Sequence, residues 1–96
     1  MLYAVSRLKY KDEKAAFELR RDMIHPGLKK QKGFKSVQFL KCTDGSGEYM
    51  VIIGWETKQD RDRFLKSKDH DLMKEKQWPL MTDEKILTKE YDLLLD

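Results

Sequence analysis

The stretch of sequence that decides the fold is YMVIIGW, residues 49–55, which is apolar throughout in a chain whose residues are 39% charged. Successive side chains of a β-strand point to opposite faces of a sheet, so a strand with one wet face alternates between apolar and polar residues. This stretch is apolar on both faces: Met50 and Ile52 on one, and Tyr49, Val51, Ile53 and Trp55 on the other. A chain of 96 residues has too few helical residues to cover a sheet twice. We therefore expect a second copy of the protein, a bound apolar ligand, or both to complete the cover.

The length and composition of the chain indicate one domain over residues 1–96, located in the cytoplasm. Cys42 is the only cysteine, so no internal disulfide can form, which fits a reducing compartment. The apolar run at residues 49–55 is far shorter than the roughly 18–20 residues that span a bilayer, and residues 1–7 are typical of a strand rather than a signal peptide. The net charge is only +3, with both signs interspersed. We expect neither a membrane nor a nucleic acid as partner.

Three further strands and three helical segments are predicted around the apolar strand. The strands are residues 1–9, 34–42 and 86–94, and the helical segments are residues 13–24, 58–67 and 70–76. Pro26 disfavours a helical conformation at His25, so the first helix should end or kink near Ile24. Phe17 should widen the apolar stripe of this helix, and Arg20 should lie beside or opposite that stripe.

The predicted order of elements is β-α-β-β-α-β, which is the α+β ferredoxin-like arrangement. In that arrangement four antiparallel strands form a sheet and the helices cover one of its faces. The other face would expose a large apolar patch, which monomers avoid. We therefore expect a homodimer in which two sheets pack face to face.

Four short segments carry a family resemblance: residues 6–8 (SRL), 32–34 (KGF), 48–56 (EYMVIIGWE) and 64–70 (FLKSKDH). In their order and spacing the chain resembles the antibiotic biosynthesis monooxygenase family, which includes small haem-degrading monooxygenases. The resemblance implies a dimeric α/β barrel built from ferredoxin-like monomers. It also implies an oxidative activity that often needs no metal or flavin supplied by the protein, so we expect no cofactor and no metal site.

The residues that mark the haem-degrading branch are not retained in this chain. In that branch an Asn on the first strand, a Trp in the second helix and a His soon after form the active site. The matching positions here are Ser6, Phe64 and Lys74. A lysine is ordinarily protonated and is a poor axial ligand for haem iron. The resemblance therefore does not imply haem degradation by that mechanism, although haem remains open as a ligand.

His70 is the leading candidate for a catalytic residue, because an imidazole titrates near neutral pH and can act as acid or base. Many family members resemble this chain in carrying an S-x-x-H segment, here Ser67 to His70. The alternative is that His70 caps or orders a break between helices. Ser6 and Tyr3 on the first strand are the expected hydrogen-bonding partners in the same site. The other histidine, His25, is expected to be an exposed residue at a helix end.

Four further residues are candidates for substrate binding: Phe64, Trp55, Lys74 and Arg7. Phe64 and Trp55 would form walls for a flat ligand, and a core or dimer-interface role is the alternative for a strand Trp. Arg7 could bind a carboxylate or hydroxyl, although strand edges carry arginines routinely. Trp78, which precedes Pro79, could seal the cleft or the interface.

The sequence thus predicts a cofactor-independent monooxygenase that acts on a small, flat aromatic or apolar substrate held between sheet and helices. The alternative function is a non-catalytic dimer that binds or senses a small molecule or haem. A nucleic-acid binder would need exposed sheet aromatics in an RNP-like pattern. Tyr49 and Trp55 are available for that role, but the K/R-G-F/Y-G/A-F run is missing.

Overall fold

Four antiparallel strands form a sheet in the computed structural model, which describes residues 1–82 and 86–96. The strands are β1 (Leu2–Lys9), β2 (Phe34–Lys41), β3 (Glu48–Trp55) and β4 (Leu87–Asp92). Their order across the sheet is β2-β3-β1-β4. The predicted α+β ferredoxin-like fold is confirmed, and each strand lies within two residues of its predicted bounds.

The pairing of the two central strands sorts their side chains between the faces of the sheet. Ala4 pairs with Ile53 and Val5 pairs with Ile52. Ala4 is buried under the helices. Val51 and Trp55, which lie two residues before and after Ile53 on β3, are buried on the same face. The opposite face holds a second set of apolar side chains that no helix covers: Tyr3, Val5, Leu40, Met50, Ile52, Leu87 and Tyr91.

The helices lie on one face of this sheet and account for the rest of the core. They are α1 (Glu13–Leu19), α2 (His25–Lys29), α3 (Lys58–Leu65) and α4 (Lys68–Gln77), with a 3₁₀ turn at Trp78–Leu80. Asp12 and Thr57 cap α1 and α3 by accepting backbone N–H bonds from the first turns. No helix in the described ranges is both long and apolar enough to cross a membrane.

The sequence predicts that the first helix ends or kinks near Ile24, and the structure shows that it does not end there. A π-helical segment, Arg20–Ile24, joins α1 directly to α2, so the helical path continues to Lys29. The N–H of His25 bonds to the carbonyl of Arg20, five residues earlier. Proline normally clashes with the carbonyl four residues before it and lacks a donor. The wider π turn displaces that carbonyl, and Pro26 then occupies the first turn of α2, where no donor is needed.

The π turn also explains which residues of this helical path are buried. The buried positions follow a strict four-residue spacing: Ala16, Arg20, Ile24 and Leu28. In an unbroken α-helix with about 3.6 residues per turn, steps of four residues drift steadily around the axis. One wide turn offsets this drift and keeps all four side chains facing the sheet. Phe17, which we expected on the apolar stripe, is instead 52% exposed.

The turn before β2 packs closely against the start of α3. Gly33 has a φ angle of +80°, a conformation that favours glycine. A Cβ atom at this position would collide with the side chain of Asp60, which is buried beneath the turn. Asp60 cannot easily move, because its carboxylate accepts bonds from the Thr57 hydroxyl at 2.8 Å and from Arg63 at 2.9 Å.

We expect Gly33→Ala to destabilise the protein more than Gly45→Ala. Gly45 also has a positive φ of +79°, but a Cβ there would meet open space. Each substitution adds about 1–2 kcal/mol of backbone strain, and Gly33→Ala adds about 1–3 kcal/mol of overpacking. Urea unfolding of both variants measures the difference in the free energy of unfolding. Equal losses would contradict the close contact between Gly33 and Asp60.

Candidate functional site

A cavity of about 310 Å³ lies between the helices and the sheet. This volume falls at the lower end of the range of about 300–1,000 Å³ that is usual for small-molecule sites. Its walls come from β1, β3, β4 and every helical element except α1. Most of the wall is apolar, including Ala4, Leu8, Ile24, Leu28, Val51, Ile53, Trp55, Phe64, Met73 and Met81.

His70 lies on the wall of this cavity, in the first turn of α4, and also orders the junction between α3 and α4. The hydroxyl of Ser67 donates to the Phe64 carbonyl at 2.6 Å and accepts the backbone N–H of His70 at 3.1 Å. The imidazole Nδ1 lies 3.1 Å from the carbonyl of Leu65. Because a carbonyl only accepts, Nδ1 carries the proton in this bond. Both expected roles of His70, in the cleft and at the helix break, are therefore compatible with one side chain.

The second ring nitrogen of His70 is free to act on a ligand. When Nδ1 carries the proton, the neutral ring has a lone pair at Nε2. Nε2 makes no hydrogen bond to any residue that the structure describes, and it is not fully buried. Burial lowers the pKa of His70 below its ordinary value of 6.5, and the charge of Lys74 lowers it further. The imidazole is thus neutral at pH 7, which is the form that can accept a proton.

Two aromatic rings and one hydroxyl pair share the cavity wall with His70. The Phe64 ring meets the imidazole edge to face, with centroids 5.1 Å apart, and lies 5.2 Å from the ring of Trp55. Trp55 is only 1% exposed and belongs to the core, but its inner edge lines the cavity. Ser6 also lines the cavity, where its hydroxyl shares a 2.9 Å hydrogen bond with Thr88 of β4.

Every charged side chain among the described residues of the cavity wall is cationic: Arg20, Arg61 and Lys74. Arg61 is neutralised by Glu90, whose carboxylate lies 2.6 Å from the guanidinium. Lys74 is exposed to solvent. Arg20 differs from both, because it is 6% exposed and no carboxylate of the described residues lies within ion-pair distance.

Neutral groups and aromatic rings hold the Arg20 guanidinium in place. Nε donates to the Tyr10 hydroxyl at 3.1 Å, and Nη2 donates to Oε1 of Gln77 at 2.9 Å. The Tyr10 hydroxyl donates to the same Gln77 oxygen at 2.8 Å. The guanidinium carbon lies 5.0 Å from the centroid of the Phe39 ring. Such cation–π contacts stabilise the charge but do not neutralise it.

The structure gathers five of the predicted site residues around the cavity and leaves two outside it. Ser6, Trp55, Phe64, His70 and Lys74 line the wall. Tyr3 and Arg7 point to the opposite face of the sheet, because they occupy odd positions of β1, whereas Ser6 occupies an even one. Arg7 instead forms an exposed ion pair with Glu48 at 2.7 Å. Tyr3 and Arg7 are therefore not in the same site as His70.

Sequence reasoning missed Arg20 and Gln77 and misjudged His25. A four-residue spacing from Ala16 to Ile24 passes through Arg20, and this spacing is the signal that could have placed Arg20 inside. Gln77 lies seven residues after His70, on the same face of α4. His25 is half-buried rather than exposed, and its Nε2 is buried without a hydrogen-bond partner.

Trp78 lines the rim of the cavity while 73% of its surface is exposed, so it does not close the cleft. Tyr49 and Trp55 face the helices and are buried, so neither is available to stack on nucleic-acid bases. Within residues 1–82 and 86–96, no group of three His, Cys, Asp or Glu side chains could hold a metal ion.

Comparison with solved structures relates the chain to SnoaB of Streptomyces nogalater, which is described as a cofactor-independent oxygenase. The two are 18% identical, over 99% of this chain and 94% of SnoaB, with a TM-score of 0.83. A protein from Nitrosomonas europaea is 17% identical over 99% of this chain and 100% of that one, with a TM-score of 0.80. Rv0793 of Mycobacterium tuberculosis is 16% identical over 99% of this chain and 96% of that one, also with a TM-score of 0.80.

At these identities the similarity to solved structures shows a shared fold. The comparison with curated proteins found no match. The model of one protein family, described as antibiotic biosynthesis monooxygenase, matches residues 1–76, which is most of the chain. This chain therefore belongs to the antibiotic biosynthesis monooxygenase family.

Proposed function

We propose that this protein is a cofactor-independent monooxygenase, formed by a single domain over residues 1–96, that oxidises a flat aromatic substrate with an acidic C–H bond. The observation that carries this proposal is the state of His70 in an apolar cavity. Its pKa is lowered by burial, its Nδ1 proton is committed to the Leu65 carbonyl, and its Nε2 is free to take a proton. SnoaB, described as a cofactor-independent oxygenase on the same fold, supports this assignment.

The reaction draws its electrons from the substrate. Nε2 of His70 removes a proton from an activated CH₂ group and leaves a carbanion that is delocalised into the aromatic rings. The carbanion reduces O₂ and forms a C–O bond, which gives a hydroperoxide after protonation. Loss of water from the hydroperoxide gives a ketone. One CH₂ group and one O₂ thus become one C=O group and one H₂O.

The remaining residues of the cavity would bind and orient the substrate. The Phe64 and Trp55 rings offer apolar walls for a flat ring system, and the Ser6 hydroxyl could hydrogen-bond to a substrate oxygen. Apolar walls exclude water, which otherwise solvates and quenches a carbanion. Orientation and water exclusion are the contributions that a protein without a cofactor can make to such a reaction.

A non-catalytic role in binding a small molecule or haem is the second candidate. One observation favours it: the three active-site residues of the haem-degrading branch are replaced in this chain, by Ser6, Phe64 and Lys74. Oxygen uptake separates this candidate from the monooxygenase.

We also propose that the protein functions as a homodimer, with the uncovered faces of two sheets packed together. The apolar side chains on this face include Leu87, which is 59% exposed, and Tyr91, which is 50% exposed. Val5 and Ile52, paired at the centre of the face, are only partly exposed. A continuous apolar patch of this kind normally marks an interface. A second copy supplies a self-complementary surface of the same chemistry.

His70→Gln is expected to lower oxygen uptake with anthrone, a flat ketone with an acidic CH₂ group, by about 10²- to 10⁴-fold. Glutamine fills a similar space but cannot accept the proton. The wild-type rate should fall as the pH drops through the pKa of His70, because the protonated ring is inactive, and this acid limb lies below about pH 6.5. The product, anthraquinone, is quantified by its absorbance alongside oxygen uptake at an electrode.

His25→Gln is the matched control for this variant. It replaces the other histidine of the chain, which does not line the cavity. Its activity should match the wild type at neutral pH. A His70→Gln enzyme with full activity would exclude His70 as the base. A wild type that consumes no oxygen with CH-acidic aromatic ketones would contradict the proposed monooxygenase activity.

Ile52→Lys is expected to convert the dimer to a monomer. Multi-angle light scattering of the wild type should give about twice the monomer mass of 11.5 kDa, and the variant should give the monomer mass. A lysine at the centre of the interface buries an unpaired charge, which costs several kcal/mol, whereas in a monomer it is solvated. Phe17→Lys is the control, because Phe17 is 52% exposed on the helical side. A monomeric wild type would refute the proposed interface.

A further inference from the structure

We infer that the substrate of this cavity carries a carboxylate group and that Arg20 binds it. The inference rests on the proposed function, since it takes the cavity beside His70 as the substrate site. It adds a chemical class, a flat apolar acid, and assigns a binding residue that contacts Gln77, seven residues along α4 from His70.

The first argument is that the charge of Arg20 has no acidic partner within residues 1–82 and 86–96. A buried arginine normally pairs with a carboxylate, because removing a charge from water is costly unless an opposite charge compensates. Arg20 is 6% exposed, yet its hydrogen-bond partners, Tyr10 and Gln77, are neutral. Arg20 is thus a cation on the wall of a mostly apolar cavity, and no described carboxylate compensates its charge. An anionic ligand would supply the missing charge.

The second argument is the set of donors that Arg20 leaves unused. A guanidinium has five N–H donors. Nε and one N–H of Nη2 are engaged by Tyr10 and Gln77, and Nη1 makes no hydrogen bond to any described residue. Nη1 is also not fully buried, so a ligand can reach it. Nη1 and Nη2 therefore offer two parallel N–H groups, the geometry that binds the two oxygens of a carboxylate.

The third argument is that this fork is held rigidly. Tyr10 and Gln77 fix one edge of the guanidinium, and the Phe39 ring lies 5.0 Å from its carbon. Arg20 also begins the π-helical segment, and such segments occur frequently at functional sites. A pre-positioned cation loses little conformational entropy when it binds an anion.

The positions of Gln77 and His70 set the size of the ligand. The two residues are seven positions apart on the same face of α4, which corresponds to about 10 Å along the helix axis. A ligand that reaches both would have its carboxylate near Arg20 and its reacting carbon near Nε2 of His70. This separation suits a ligand of two or three fused aromatic rings better than a single-ring acid.

The test compares two fluorescent probes of equal shape, anthracene-2-carboxylate and its neutral carboxamide, by equilibrium anisotropy titration. Wild-type protein should bind the carboxylate about 10- to 100-fold more tightly, as charge-assisted hydrogen bonds predict. Arg20→Met should abolish this preference by lowering the affinity for the carboxylate much more than that for the carboxamide, and the remaining carboxamide binding also shows that the cavity is intact. Arg20→Lys retains the charge without the fork and should give an intermediate preference.

Arg21→Met is the matched control. Arg21 is the next residue along the chain, but it is exposed and pairs with Asp22 at 2.7 Å. This variant should keep the full preference for the carboxylate. Equal binding of both probes by the wild type, no binding of either, or a preference that survives Arg20→Met would overturn the inference. If Arg20→Met loses the carboxamide as well, Arg20→Lys decides: a reduced preference supports the inference and an unchanged one refutes it.

Oxygen uptake with anthrone separates this inference from the proposed function. An Arg20-dependent preference without oxygen uptake would leave carboxylate binding in place and remove the monooxygenase assignment. Oxygen uptake without the preference would support the monooxygenase assignment and refute carboxylate binding by Arg20.

Discussion

The pairing of β1 with β3 is the interaction on which the rest of the structure depends. Its register places Ala4 beside Ile53 and Ser6 beside Val51, all on the helical side. A slip of one residue would turn every side chain of one strand to the opposite face. One ladder of hydrogen bonds thus determines which side chains form the core, which line the cavity and which lie on the uncovered apolar face.

Most of the fold could be predicted because strand and turn signals act over a few residues. The strand ranges depend on local composition, and each of the four strands was found within two residues of its predicted range. The path between α1 and α2 could not be predicted in this way. Pro26 is a strong local signal for a break, but packing of Ile24 and Leu28 against the sheet outweighs it, and the π turn is the backbone conformation that satisfies both.

The candidate site was only partly predictable, for two different reasons. Tyr3 was grouped with Ser6 on chemical grounds, although the alternation of side chains along one strand separates positions 3 and 6. That error could have been avoided from the sequence. Arg20 is a different case, because an arginine in a helix is usually solvated and its burial depends on Tyr10 and Gln77, which lie 10 and 57 residues away along the chain. The spacing from Ala16 to Ile24 could place Arg20 toward the sheet, but no local pattern identifies the two partners that hold its guanidinium.

The π turn has a consequence for how such a site can arise. A π turn differs from an α turn by one residue, and at about 3.6 residues per turn one residue corresponds to about 100° of rotation around the helix axis. Deleting a single residue between Arg20 and Ile24 would restore a regular helix in which Arg20 and Leu28 stand seven positions apart, close to two whole turns. Both side chains would therefore keep facing the sheet. The π turn is thus equivalent to a one-codon insertion that the helix absorbs without turning the guanidinium out of the cavity.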